Sequence, residues 1–262
     1  MDFGMPTLVE NKTLYENVEL CNSLGLDFIE LNMNLPEYQV EQLENTRIFQ
    51  DMAEEYNVYF TIHLDENLNV TDFNKAVANA YMETVKRTIE AAERLKVPVL
   101  NMHMNHGVHF TLPDRKVQLF EQYFDEYMEG IRKFINMCES EIGQSDIKVC
   151  IENTDGYREY EKAAIREMLK SRVFALTWDI GHSNAAGDTD EAFIMEYEGR
   201  LKHFHIHDSK GKKNHMTLGS GEINLKNRLE TADKHQCRCV VETKTIASLK
   251  ESAVWLKERK YF

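Results

Sequence analysis

Eight short apolar runs alternate with eight stretches of helical periodicity, and no other feature of the chain restricts its fold so strongly. The apolar runs lie near residues 3–8, 26–32, 58–64, 97–104, 147–152, 173–179, 201–207 and 238–242. The helical stretches lie near 11–24, 37–56, 71–95, 114–142, 159–170, 190–199, 222–235 and 246–260. In the longest of these, Phe120, Phe124, Tyr127, Ile131, Phe134, Ile135 and Cys138 recur at three-to-four spacing, the stripe of a helix with one core face. Strands alternating with helices pair in parallel, and eight such units in 262 residues predict an α/β fold closed as a (β/α)8 barrel rather than an open sheet. Four prolines and no Ser/Gly tract leave no linker, so residues 1–262 read as a single domain.

In a barrel of parallel strands, the functional groups gather at the C-terminal strand ends. The apolar runs here end in chemistry: His63, His103, Glu152, Asp179, the run His203 to Asp208, and Glu242. Side chains alternate along a strand, so one terminal position per strand can point at the barrel axis. Imidazoles and carboxylates converging there are costly to bury without a compensating cation, and a divalent metal supplies one. The sixth run shows the pattern well. Apolar Val173 to Trp178 gives way to Asp179, and His182 follows a glycine expected to let the chain turn.

The formal net charge of -13 argues against nucleic acid and anionic membrane as partners. The first residues lack a basic segment followed by an apolar run, so no secretory leader is expected, and no window is apolar enough to span a membrane. Five irregularly spaced cysteines suit reduced thiols in a cytoplasmic protein, and Cys237 and Cys239 read as packed thiols rather than zinc ligands.

The segments Ile151-Glu152-Asn153-Thr154, Trp178-Asp179-Ile180-Gly181-His182, His205-Ile206-His207-Asp208-Ser209-Lys210, Leu218-Gly219-Ser220-Gly221-Glu222-Ile223 and Val241-Glu242-Thr243 together resemble the xylose isomerase-like barrel superfamily. That group holds sugar and sugar-phosphate isomerases and epimerases, and the apurinic-site endonuclease IV family. The resemblance to its ketose epimerases implies one divalent metal on Glu152, Asp179, His205 and Glu242. It further implies proton exchange with substrate by Glu152 and Glu242, and a substrate contact from His182. Glu30, in Gly25-Leu26-Asp27-Phe28-Ile29-Glu30-Leu31, resembles a glutamate that ends strand two in the isomerases. The resemblance to endonuclease IV implies instead that His63, His103 and Glu152 hold a second metal, and that His182 and His215 share a third with an aspartate two residues before His215.

That last position is Lys213, whose ammonium cannot ligate. After His63 come Leu64-Asp65-Glu66, which repel a phosphate backbone, and Met104 stands where the endonucleases usually carry a proline. The epimerases commonly place an arginine after the seventh strand; here Lys210-Gly211-Lys212-Lys213 offers point charges to a carboxylate or phosphate. The backbone of Leu218-Gly219-Ser220-Gly221 reads equally as a phosphate cradle or as a tight turn. The expectation is therefore a metal-dependent isomerase or epimerase of a small sugar, sugar phosphate or related carbonyl compound. It has Mn2+ or Zn2+ at one site, with a second site allowed. Glu152 and Glu242 are its acid-base pair; Glu30, His182, Lys210 and His215 line the substrate. A homo-oligomer is allowed. An endonuclease IV-like zinc phosphodiesterase acting on abasic DNA and a catalytically inert metal-binding barrel are the alternatives.

Overall fold

The computed structural model describes residues 1–262 and contains the closed barrel. Its strands are β1 (Asp2–Pro6), β2 (Phe28–Asn32), β3 (Tyr59–His63), β4 (Val99–His103), β5 (Lys148–Glu152), β6 (Phe174–Asp179), β7 (Leu201–Ile206) and β8 (Arg238–Val241). Each pairs in parallel with its neighbours in chain order, and β8 pairs with β1 to close the cylinder. Helices return the chain between strands. Leu14–Leu24 shows why one forms where it does: Thr13 and Glu16 make a capping box, and Gly25 ends it at φ +67, a left-handed conformation that glycine takes without strain.

Alternation divides the strand residues into two sets. Outward-facing Phe60, Ile62, Leu100, Ile151, Phe174, Leu176, Phe204 and Val241 join the apolar layer beneath the helices. Inward-facing Val99, Cys150 and Ala175 form a separate small apolar layer within the cylinder. The ring of Phe28 joins that interior by covering Gly4, where a Cβ would lie 2.5 Å from the ring. Above this floor Glu30, Thr61, Asn101, Thr177 and His203 are all buried, so the barrel interior turns from apolar to polar towards its C-terminal mouth. The register fixes the order of that change: His103 lies beside Glu152, and Asp179 beside His205.

Three of the expected helices are cut shorter. The stretch 37–56 breaks into a 3-10 turn at Pro36–Tyr38 and helices Val40–Leu43 and Thr46–Tyr56, because Pro36 starts one turn and Asn45 interrupts the next. Helix Lys75–Leu95 begins only after Asn74 accepts from Ala76 N, and with 21 residues it is the longest in the chain. The start of the stretch 114–142 is taken up by the second strand of an antiparallel hairpin, Lys116–Gln118 paired with His109–Thr111, ahead of helices Leu119–Gln122 and Phe124–Ile142. Besides that hairpin, two elements went unforeseen: helix Ile180–Ala185 directly after β6, and the hairpin Asp208–Lys210 with Lys213–Met216 after β7. All five cysteines are buried free thiols, Cys237 and Cys239 included. No helix is long and apolar enough to cross a membrane.

Candidate active site

At the C-terminal mouth, ligand-type atoms of Glu152, Asp179, His205 and Glu242 lie within 4.8 Å of one another. They arrive from the ends of β5, β6, β7 and β8, and the backbone fixes them in pairs. The Asn153 side chain donates to Asp179 O and accepts from Asp179 N, both at 2.9 Å, tying the end of β5 to the end of β6. Asp179 also caps the helix that follows, accepting from His182 N at 2.7 Å, and His207 Nε2 lies 3.1 Å from its Oδ2.

His205 is the centre of the group. Its Nδ1 faces Glu152 Oε1 at 3.1 Å, Glu242 Oε2 at 3.3 Å and Asp179 Oδ2 at 4.0 Å. Its Nε2 lies 2.7 Å from Glu30 Oε2. His205 Nδ1, His182 Nδ1 and Glu242 Oε2 are buried yet have no hydrogen-bond partner. Polar atoms so confined normally find one, so three orphans facing one space, in a mixed imidazole and carboxylate set, fit a divalent cation.

The electrostatics agree. Burial by itself would raise the carboxyl groups of Glu152 and Glu242, but the surrounding cations, His205 foremost with His103 at Glu152 and Lys244 at Glu242, together outweigh it and hold both well below their usual range. His205 is held in the opposite direction: burial opposes its proton, and Glu152, Glu30 and Glu242 retain it far above the ordinary imidazole value. Without a metal, protons on the histidines balance the carboxylates.

His63 and His103 come to the same glutamate from its other side. His103 Nε2 lies 3.1 Å and His63 Nε2 3.4 Å from Glu152 Oε2, with the two rings edge to face at 4.9 Å. Asn101 also donates to that oxygen. Glu152 thus stands between two groups of candidate ligands, as a bridging carboxylate would. Burial opposes a proton on His63, but the hydrogen bond and charge of Glu152 prevail and raise it to about 9.

The expected substrate contacts divide. His182 and His215 face each other, Nε2 to Nε2, at 3.3 Å over the mouth. Burial pushes His215 down to about 4. Glu30 does not line the mouth: it is 2% exposed and lies beneath His205, where Thr61 Oγ1 at 3.0 Å and His203 Nε2 at 2.7 Å both contact its Oε1. Lys210 is exposed and stands opposite Lys213 across the hairpin. The lysine that reaches the ligands is Lys244, with Nζ 2.8 Å from Glu242 Oε1.

Two glycine readings also change. Gly181 sits within helix Ile180–Ala185 and makes no turn; it is required because a Cβ there would fall 1.9 Å from His207 Cε1. The loop after Leu218 holds no free phosphate cradle, since Gly219 N and Gly221 N both donate to Asp208 Oδ2, at 3.0 and 2.8 Å. Sequence reasoning missed Asn153, His207, Asp208 and Lys244 as site-building residues, although all but Lys244 lie inside the segments it singled out. A surface cleft of about 650 Å3 between helices Lys75–Leu95 and Phe124–Ile142 is lined by none of the site residues and is not the active site.

Residues 18–259 match the family described as xylose isomerase-like TIM barrel. The chain belongs to that family. An uncharacterized protein from Methanocaldococcus jannaschii is 24% identical and aligns over 98% of this chain and 89% of its own length. Among solved structures, a D-tagatose 3-epimerase-like protein superposes with a TM-score of 0.77 at 23% identity, covering 98% of this chain and 96% of that one. The 3-keto-D-glucoside 4-epimerase of E. coli gives 0.77 at 15% identity, covering 98% and 99%. A probable 3-DHS dehydratase of Bacillus anthracis gives 0.73 at 14% identity, covering 99% and 100%. At these identities the likeness establishes the shared barrel, and chemistry has to be argued from the site.

Proposed function

We propose that this barrel is a divalent-metal-dependent isomerase or epimerase acting on a small sugar, sugar phosphate or related polyol-derived carbonyl compound. The observation that carries this reading is the convergence of Glu152, Asp179, His205 and Glu242 within 4.8 Å at the C-terminal mouth. The sugar epimerases among the structural neighbours support it. A divalent cation, Mn2+ or Zn2+, held by those four residues would draw electron density from a carbonyl and its neighbouring hydroxyl, making the intervening C–H more acidic.

The chain's own groups then move the proton. Glu242, with a 13% exposed side chain, turns Oε1 towards Lys244 and solvent, so it meets an entering substrate first. Glu152 has a 1% exposed side chain, with Oε2 held by Asn101 and His103, so it exchanges its proton on the inner side. His182 and His215, at 17–19% exposure of their side chains, face the space where substrate hydroxyls would lie. General acid-base transfer of this kind contributes roughly 10²- to 10⁴-fold. The test is to replace Glu152 and Glu242 separately by Gln and follow deuterium uptake from solvent into a panel of ketoses and their phosphates. Full-rate exchange in either variant removes that residue from the pair.

A second reading rests on His63 and His103, whose Nε2 atoms stand 3.4 and 3.1 Å from Glu152 Oε2 and offer a second metal position. Two metals suit in-line hydrolysis of a phosphodiester. Metal counting after gentle purification separates the two: near one equivalent favours the isomerase, while two or three equivalents with nicking of abasic duplex DNA favour the hydrolase.

A further inference from the structure

Glu30 was expected among the substrate contacts and instead is enclosed inside the barrel, which leaves its contacts to explain. Its two oxygens are divided between two imidazoles of one strand: Oε1 takes His203 Nε2 at 2.7 Å, and Oε2 lies 2.7 Å from His205 Nε2. Thr61 Oγ1 donates to Oε1 at 3.0 Å and fixes the carboxylate against β3. His203 and His205 alternate on β7, so both point inward and a single side chain from β2, across the interior, can meet both.

The opposite nitrogen of His205 is the one that faces Glu152, Glu242 and Asp179. For Nδ1 to offer a lone pair there, the ring proton has to sit on Nε2, and Glu30 Oε2, 2.7 Å from that nitrogen, is the carboxylate oxygen it meets, a close approach that falls short of hydrogen-bond geometry in the metal-free ring orientation. We infer that Glu30 is a positioning residue for the metal centre, a buried carboxylate that holds His205 in the tautomer and ring orientation that aim Nδ1 at the cation. This rests on the metal-site reading above, and it accounts for an ionised glutamate being kept 2% exposed in the barrel interior beneath His205.

The test uses Zn2+ alone as the probe. Zn2+ affinity is measured by calorimetry on the metal-free full chain for the unaltered protein, Glu30→Gln and Glu30→Met. Loss of such a partner weakens metal binding about 10- to 100-fold, so that loss is expected for Glu30→Met, with a smaller one for Glu30→Gln, which keeps a single acceptor oxygen. Unchanged affinity in Glu30→Met overturns the assignment. Should neither variant fold, nitrogen-15 NMR of the unaltered Zn2+-loaded chain decides: the His205 proton on Nε2 supports the role, and the proton on Nδ1 refutes it. Failure of the unaltered chain to bind Zn2+ would instead sink the metal-site reading itself, so the two failures are distinguishable.

Discussion

Gly181 and His207 occupy space that admits no third group: a Cβ on Gly181 would lie 1.9 Å from Cε1 and 2.0 Å from Nδ1 of the His207 ring. That ring in turn contacts Asp179 through Nε2 and accepts from His215 N at 2.8 Å through Nδ1. Gly181→Ala therefore displaces a residue joined to both Asp179 and His215. Overpacking of this kind costs about 1–3 kcal/mol, and the expected outcome is a lowered melting temperature together with weaker metal binding. Unchanged values for both would show that the ring moves freely.

Metal uptake should release protons. The metal-free site keeps protons on His205, held far above the ordinary value, and on His63, raised to about 9. A cation on Glu152, Asp179, His205 and Glu242 has to displace the His205 proton, and one at the second position has to displace that of His63, so apparent affinity falls as pH drops, at the second position through about 9. Titrating a divalent metal into weakly buffered protein with a pH indicator reads this directly. The metal-free chain shows the reverse face of the same linkage. The pairing of His63 with Glu152 stabilises it fully below the unfolded imidazole value of 6.5, and that contribution is lost as pH rises through about 9.

Lys244 places a positive charge 2.8 Å from a carboxylate that also faces the proposed cation site. Its side chain is 59% exposed, so solvent screens much of the effect. Lys244→Met is expected to tighten metal binding by no more than about tenfold, with the gain shrinking at high salt. Calorimetry at two ionic strengths checks both parts, and weaker binding in the variant would make Lys244 a support of Glu242 rather than a competitor.

Asp208 accepts from four backbone amides, those of Ser209, Gly219, Gly221 and Ile223, at 2.8 to 3.2 Å. Asp208→Ala strips the loop of its anchor and leaves those donors without it. A loss of roughly 2–4 kcal/mol in denaturant unfolding is expected, with faster hydrogen exchange at Gly219 and Gly221. Slow exchange at both glycines in the variant would assign the loop's order to some other contact.

The barrel and its ring of polar strand ends were legible because both are periodic. Apolar runs repeat with strand length, helices with their 3.6-residue stripe, and His63, His103, Glu152, Asp179 and Glu242 each fall where an apolar run stops. The hairpin at 109–118 was not legible, since its apolar residues Val108, Phe110 and Leu112 are exposed and carry no core pattern. The helix after Asp179 was hidden by its shortness, six residues beginning at Ile180, with a glycine that reads as a turn.

What the chain by itself determined is which face of its strand each side chain takes, because strand alternation is a local property. Which of them meet was decided only by closing the cylinder. Shear between neighbouring strands sets the depth of each residue, and it puts Glu30 below His205 rather than level with it. The same closure joins Asp208 to glycines 11 and 13 residues away and Gly181 to His207, contacts with no local signature. Long-range proximity is a consequence of the register of eight strands together, and no single segment contains it.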